Sequence, residues 1–150
     1  MFEKVLYPTD FSDPSKKALD YVKQLKESGA EEVIVLHVIE DREIPVFLGL
    51  DEGDPVPGTQ LEKTLRIIEE NAKEETRAIA AELKESGFDV KIRIEKGTAF
   101  REILKVEEEE EVSVIVVGSH GKGPVTGILL GSVSDKVIRK SKKPVLIIKR

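Results

Sequence analysis

The 150-residue chain contains no cysteine, which excludes a disulfide framework and any thiolate chemistry. No apolar stretch approaches membrane-spanning length, and the opening "MFEKVLYPTDFS" shows no basic leader running into an apolar core. A cytoplasmic protein with no membrane role is therefore expected. Positive charge is not in excess: 24 Lys and Arg stand against 29 Asp and Glu, a net charge of −5, mixed along most of the sequence. Phosphate backbones select for basic patches, so nucleic acid is not the expected partner. A small anionic ligand stays open, because backbone N–H groups can hold one without net positive charge.

What is present suits one compact domain spanning residues 1–150. Charged residues make up 35% of the chain, and Glu/Lys-rich helices of this kind suit a thermophilic source. Apolar runs alternate with helical patterns. "KVLYP" (4–8) reads as a short buried strand, and 13–28 places Ala18, Leu19, Val22 and Leu25 on one helical face. "EEVIVLHVIE" (31–40) is apolar nearly throughout, as a strand covered on both faces should be. A helix follows from about Leu61 to Ser86, with Gly87 as its stop. Strand 88–97 alternates Val90, Ile92 and Ile94 with charges, giving it one wetter face. Helix 98–111, strand 112–118, helix 132–143 and strand 144–150 complete the series. The alternation predicts an α/β fold: a parallel sheet with helices on both faces.

Segment 41–60, "DREIPVFLGLDEGDPVPGTQ", breaks the alternation. Its three prolines and three glycines exclude regular helix or strand. Val46, Phe47, Leu48 and Leu50 suggest a lid or a partner surface, with disorder as the alternative. The acidic run at 107–111 reads as a solvated helix end rather than a metal site.

In open parallel sheets, ligands bind beyond the carboxyl ends of the strands, where strand order reverses. If the five strands lie in the order 3-2-1-4-5, the reversal falls between the first and fourth. The loops leaving them are "PTDFSD" (8–13) and "GSHGKGPVTGILLGS" (118–132). Gly118 and Gly121 sit where the chain exits the sheet, and glycine there permits φ > 0 and close ligand approach. Gly131 and Ser132 sit where the last helix begins, presenting free N–H groups to the same crevice. Together they describe a phosphate site. The structural alternative is that Ser132 and Asp135 form a capping box and Gly118 is a plain turn. A P-loop is excluded, since Lys122 is followed by Gly123, and the final glycine of a dinucleotide fingerprint is missing. No Lys or Arg is obviously placed to act as a P-loop lysine does.

The spacing Gly118-x-x-Gly121, nine residues, Gly131-Ser132 resembles the nucleotide-binding signature of the universal stress protein family, in its ATP-binding branch. "VLYPTDFSDPSKKAL", "VIVLHVIE" and the stretch from "SHG" to the end extend the resemblance over nearly the whole chain. It implies an open five-stranded parallel sheet in the order 3-2-1-4-5, Rossmann-like and similar to the adenine nucleotide alpha hydrolases. It also implies ATP, or AMP or ADP, with Mg²⁺ or Mn²⁺ held mainly through the phosphates. Carried over by position, Pro8, Thr9 and Asp10 line the adenosine pocket, and Val38 meets the adenine chiefly through its backbone. Gly118, Gly121, Gly131, Ser132, Val133 and Ser134 surround ribose and phosphates, with Val117 and His120 also in the site.

Asp10 suits sugar hydroxyls, which it can accept from, better than phosphates, which it would repel. The alternative makes it a turn residue ahead of a helix start at Ser12, Asp13 and Pro14. His120 is expected to donate to a phosphate or face solvent rather than act as a base. His37, inside a strand, is expected in the core. The strand Val145–Ile148 is an apolar edge, which a two-fold homodimer would cover. The expected function is a nucleotide-dependent stress or signalling module with an unknown protein partner. The alternatives are a slow ATPase or adenylate-processing enzyme, and a dimeric interaction protein independent of nucleotide.

Overall fold

The computed structural model describes residues 1–119 and 130–149. The elements, in chain order, are β1 (Lys4–Pro8), α1 (Asp13–Gln24), a 3₁₀ turn (Leu25–Ser28), β2 (Glu32–Ile39), α2 (Glu43–Phe47) and α3 (Gly58–Glu85). They continue with β3 (Asp89–Lys96), α4 (Ala99–Glu109), β4 (Val114–Gly118), α5 (Ser132–Lys140) and β5 (Val145–Ile148). The strands form one sheet in the order β3-β2-β1-β4-β5, with every pair parallel. Among the described residues no helix is long and apolar enough to cross a membrane.

Side chains alternate across a strand, and this sheet has a core on each face. Val5, Tyr7, Val33, Val35, Val114 and Val116 join Ala18, Leu19 and Val22 of α1 and Leu83 of α3 in one cluster. Leu6, Ile34, Leu36, Ile115 and Val117 join Ile103 and Val106 of α4 and Val137 of α5 in the other. Helices on both faces explain why β1, β2 and β4 are apolar almost without interruption. The edge strand β3 differs. Val90 packs on the α3 side, while Lys91 and Arg93 pair with Glu110 at the end of α4, so its wetter face is an ionic one.

Segment 41–60 departs from expectation. Residues 43–47 are helical, and α3 begins at Gly58 rather than Leu61. Pro45 is tolerated because it sits in the first turn of α2, where its missing N–H would have had no intrahelical partner. Gly49, at φ +78°, then ends the helix in the left-handed conformation. Ile44 and Pro45 are buried, whereas Val46, Phe47 and Leu50 are exposed.

Candidate functional site

The ladder between β1 and β4 is registered only at Val5 with Val114 and Leu6 with Ile115. Past that point the two strands part. Thr9 N–H donates to Leu36 O of β2, so alternation turns the Pro8 nitrogen toward β4. Proline has no N–H there, and the next rung to β4 lacks its donor. On the other side Ser119 N–H donates to Ile148 O of β5, leaving the Gly118 peptide directed toward the gap. Val38 follows the same logic from β2. Leu36 faces β1, so Val38 does too, but β1 has ended at Pro8. Its N–H and C=O point to where no strand runs.

The opening is a cleft of about 340 Å³. Pro8, Thr9, Asp10, Val38, Val117, Gly118, Gly131, Ser132, Val133 and Ser134 all line it. Of the residues singled out in the sequence, His120 and Gly121 lie outside the described residues. The cleft is also lined by Ser15, Leu36, Glu40, Arg42, Glu43, Ala99 and Ile103, which sequence reasoning missed. Glu40 had a signal, since it follows the end of β2, where strand-end ligands sit. Segment 41–60 reaches the cleft through charged Arg42 and Glu43, not through its apolar quartet.

A buried hydrogen-bond network holds the β1 exit. Tyr7 Oη donates to Ser15 O at 2.6 Å, and Ser15 Oγ donates to Thr9 Oγ1 at 2.6 Å. Thr9 Oγ1 in turn accepts from Phe11 N–H at 3.1 Å. Burial pushes the Tyr7 phenol above its ordinary value of 10.0, with the Ser15 and Thr9 hydrogen bonds opposing that shift. Phe11 has φ 65°, a strained conformation for a bulky residue. Its ring stacks on His37 with centroids 4.3 Å apart. His37 is buried, and its Nδ1 lies 2.8 Å from Thr9 O. A carbonyl only accepts, so the proton is on Nδ1. His37 is thus a core histidine, as its place in the strand suggested. Asp10 serves two roles at once: Oδ1 accepts from Ser12 N–H at 3.0 Å, shaping the turn, and the residue lines the cleft. Ser12 caps α1, with Pro14 in its first turn.

The opposite wall is tied by one carbonyl. Ser119 O accepts from Gly131 N–H at 2.7 Å and from Ser134 Oγ at 2.8 Å, joining the β4 exit to the α5 entrance. Ser132 and Asp135 do not form a capping box. Gly131 is the N-cap of α5, so Ser132 is its first residue, and Asp135 pairs with Arg139 instead. No side chain caps this helix, which leaves the amides of Ser132, Val133 and Ser134 without intrahelical acceptors. The Ser134 hydroxyl faces inward to Ser119, so its outward offering is the backbone.

The reason for Gly118 also changes. Neither it nor Gly131 adopts a positive φ. A Cβ on Gly118 would stand 3.1 Å from Pro14 O and 3.2 Å from its carbonyl carbon. The missing side chain lets α1 close on β4 and leaves the cleft edge to the Gly118 peptide. Among the described residues no group of three or more His, Asp or Glu could hold a metal ion.

The universal stress protein family model matches residues 1–149. The chain is 45% identical to universal stress protein MJ0577 of Methanocaldococcus jannaschii, covering 100% of this chain and 96% of that one. It is 35% identical to universal stress protein YxiE of Bacillus subtilis, covering 99% and 100%. The solved structure of MJ0577 superposes with a TM-score of 0.83, over 100% of this chain and 97% of that one. A solved universal stress protein in complex with cAMP superposes with a TM-score of 0.62 at 27% identity, covering 99% and 97%. The sheet order, the strand-end cleft and these likenesses lead to one conclusion: the chain belongs to the universal stress protein family.

Proposed function

We propose that the cleft binds an adenine nucleotide, ATP with Mg²⁺ or Mn²⁺ or its mono- or diphosphate, and that occupancy is the output. The observation that carries this reading is the convergence, at the parted ends of β1 and β4, of two outward-facing peptides and the uncapped amides of α5. The Val38 peptide suits a purine edge, which carries a donor beside an acceptor. Asp10 can accept from ribose hydroxyls. The amides of Ser132, Val133 and Ser134 suit phosphate oxygens. When bound, the divalent cation neutralises phosphate charge and is held through the phosphates and water. That a related universal stress protein has been solved with cAMP supports an adenine ligand.

In this reading the described groups bind and orient the nucleotide, and none is assigned a proton to move. Binding then alters shape or partner choice. Calorimetric titration with ATP and Mg²⁺ tests it: a saturable heat is expected, and no heat at millimolar nucleotide rejects it. Steady hydrolysis that persists through further purification would favour an ATPase instead.

We also propose a two-fold dimer through β5. Its outer edge carries Val145 to Ile148, and Leu146 is 38% exposed, an apolar edge of the kind usually covered. Sedimentation at micromolar concentration should show a dimer; monomer alone would reject it.

A further inference from the structure

The chain that leaves β2 carries charge of nearly one sign. From Glu40 to Asp54 there are six carboxylates and one cation, Arg42, and Arg42 is paired with Glu40. Among the described residues, Asp41, Glu43, Asp51, Glu52 and Asp54 enter no ion pair. Within this acidic stretch α2 exposes Val46 (57%) and Phe47 (46%), with Leu50 (40%) just after it. The exposure is built into the fold. Gly49 N–H donates to Val46 O at 3.0 Å, and Leu50 N–H donates to Pro45 O at 2.9 Å. These two bonds make a Schellman motif around Gly49 and fold Leu50 back beside α2. A second turn follows at once. Asp54 N–H donates to Asp51 O at 3.1 Å, and Asp51 N–H donates to Asp54 Oδ2 at 2.9 Å. Asp51, Glu52 and Asp54 are thus fixed directly beyond Leu50, while buried Ile44 and Pro45 anchor α2 from beneath.

We propose that this face docks a basic amphipathic segment of another protein. Its apolar side chains cover Val46, Phe47 and Leu50, and its Lys and Arg side chains meet the surrounding carboxylates. The inference stands apart from the nucleotide reading. An apolar patch holding an aromatic ring, rimmed by charge, is the ordinary layout of a protein interface. The sign of the rim selects the occupant. Anionic lipid headgroups and nucleic-acid phosphates would be repelled by five unpaired carboxylates. A second copy meeting this face by two-fold symmetry would set the same carboxylates against themselves. A basic amphipathic segment gains twice, because it takes the apolar patch out of water and neutralises the rim. The patch does not serve the cleft either. Glu43 of α2 lines the cleft, and Val46, Phe47 and Leu50 do not.

The test is fluorescence-anisotropy titration of labelled helical peptides in the absence of nucleotide. One is built of Lys and Leu with an apolar face, one of Glu and Leu with the same face, and one of Lys and Gln with none. Wild type should bind the Lys/Leu peptide about tenfold or more tighter than either control. Phe47→Ser should weaken that binding about tenfold, the scale of one interface aromatic. Val46→Ser, at the most exposed of the three positions, should weaken it about threefold. Asp51→Asn with Glu52→Gln should also cost about threefold. Glu74→Gln with Glu75→Gln removes the same charge from the exposed middle of α3 and should stay within about twofold. Both serine variants replace exposed side chains, so wild-type unfolding midpoints are expected. No binding by wild type, equal binding of either control peptide, or equal loss from the Glu74 and Glu75 pair overturns the proposal. So does adsorption to phosphatidylglycerol vesicles, or self-association, that Phe47→Ser abolishes; these outcomes assign the face to a membrane or to a second copy. Failure of the nucleotide reading leaves all of these outcomes unchanged.

Discussion

The two strand exits that face each other across the cleft are built by different means. At the end of β1 the chain is held from beneath, by Tyr7, Ser15, Thr9 and His37, all buried and hydrogen-bonded among themselves. At the end of β4 it is held from the side, by one carbonyl, Ser119 O, that receives two donors from the start of α5. The first arrangement is a core feature that reaches the surface. The second is a tie across the segment that joins β4 to α5, Ser134 lying 15 residues beyond Ser119. The β1 exit is therefore held by a network of side-chain hydroxyls, and the β4 exit by the backbone of Ser119, whose N–H donates to Ile148 O while its carbonyl accepts both donors from α5.

The contrast can be broken most severely at Gly118, where the two walls meet through α1. Gly118→Ala should lower stability by about 1–3 kcal/mol, because its Cβ would press on the Pro14 backbone rather than on a yielding side chain. Thermal or denaturant unfolding checks this; an unchanged midpoint would show that α1 can retreat.

Tyr7→Phe probes the buried wall. Loss of the bond to Ser15 O should cost about 1 kcal/mol at neutral pH. It should also remove part of the alkaline pH dependence. Because burial raises the folded phenol above 10.0, the unfolded chain releases its proton first as pH passes 10, and stability falls from there toward the folded pKa. Denaturant midpoints between about pH 9 and 11 should fall more steeply for wild type than for Tyr7→Phe.

Ser134→Ala removes one of the two donors on Ser119 O, and Gly131 N–H remains. The expected loss is about 0.5–1 kcal/mol, and nucleotide affinity should fall more than AMP or ATP affinity falls in Tyr7→Phe. The reverse ranking would mean that the buried wall, not the tie, positions the ligand.

The smallest effect belongs at the opposite end of the sheet. Glu110 is held below its ordinary value first by its hydrogen bond to Lys91. Its contribution is present above an unfolded pKa of about 4.5 and is lost as pH falls through the lower folded value. Glu110→Gln should change stability at pH 7 by less than about 1 kcal/mol, flatten the acid limb slightly, and leave nucleotide binding alone.

Much of the site was legible because strand exits leave local marks. Pro8, Gly118 and the Gly131–Ser132 pair follow from chain order, whereas Val38 came only through the family resemblance. Their reasons were less legible. Gly118 was read as freedom for a turn or a ligand, and the structure assigns it to contact with Pro14, a residue more than a hundred positions away. Ser132 was read as a possible cap, and the cap is Gly131. Helix α2 was missed because three prolines outweighed the fact that Pro45 falls in a first turn.

By itself, then, the sequence determined the alternation of the five strands with their main helices, the two-sided sheet and the end of the sheet where a ligand would lie. Periodicity and strand-end chemistry are local properties, written in neighbouring residues. Only the tertiary structure decided which side chains face the cleft and which lock its walls. Those depend on the approach of α1 to β4 and of α4 to α5. Such distances are set by packing between elements, and no stretch of sequence carries them alone.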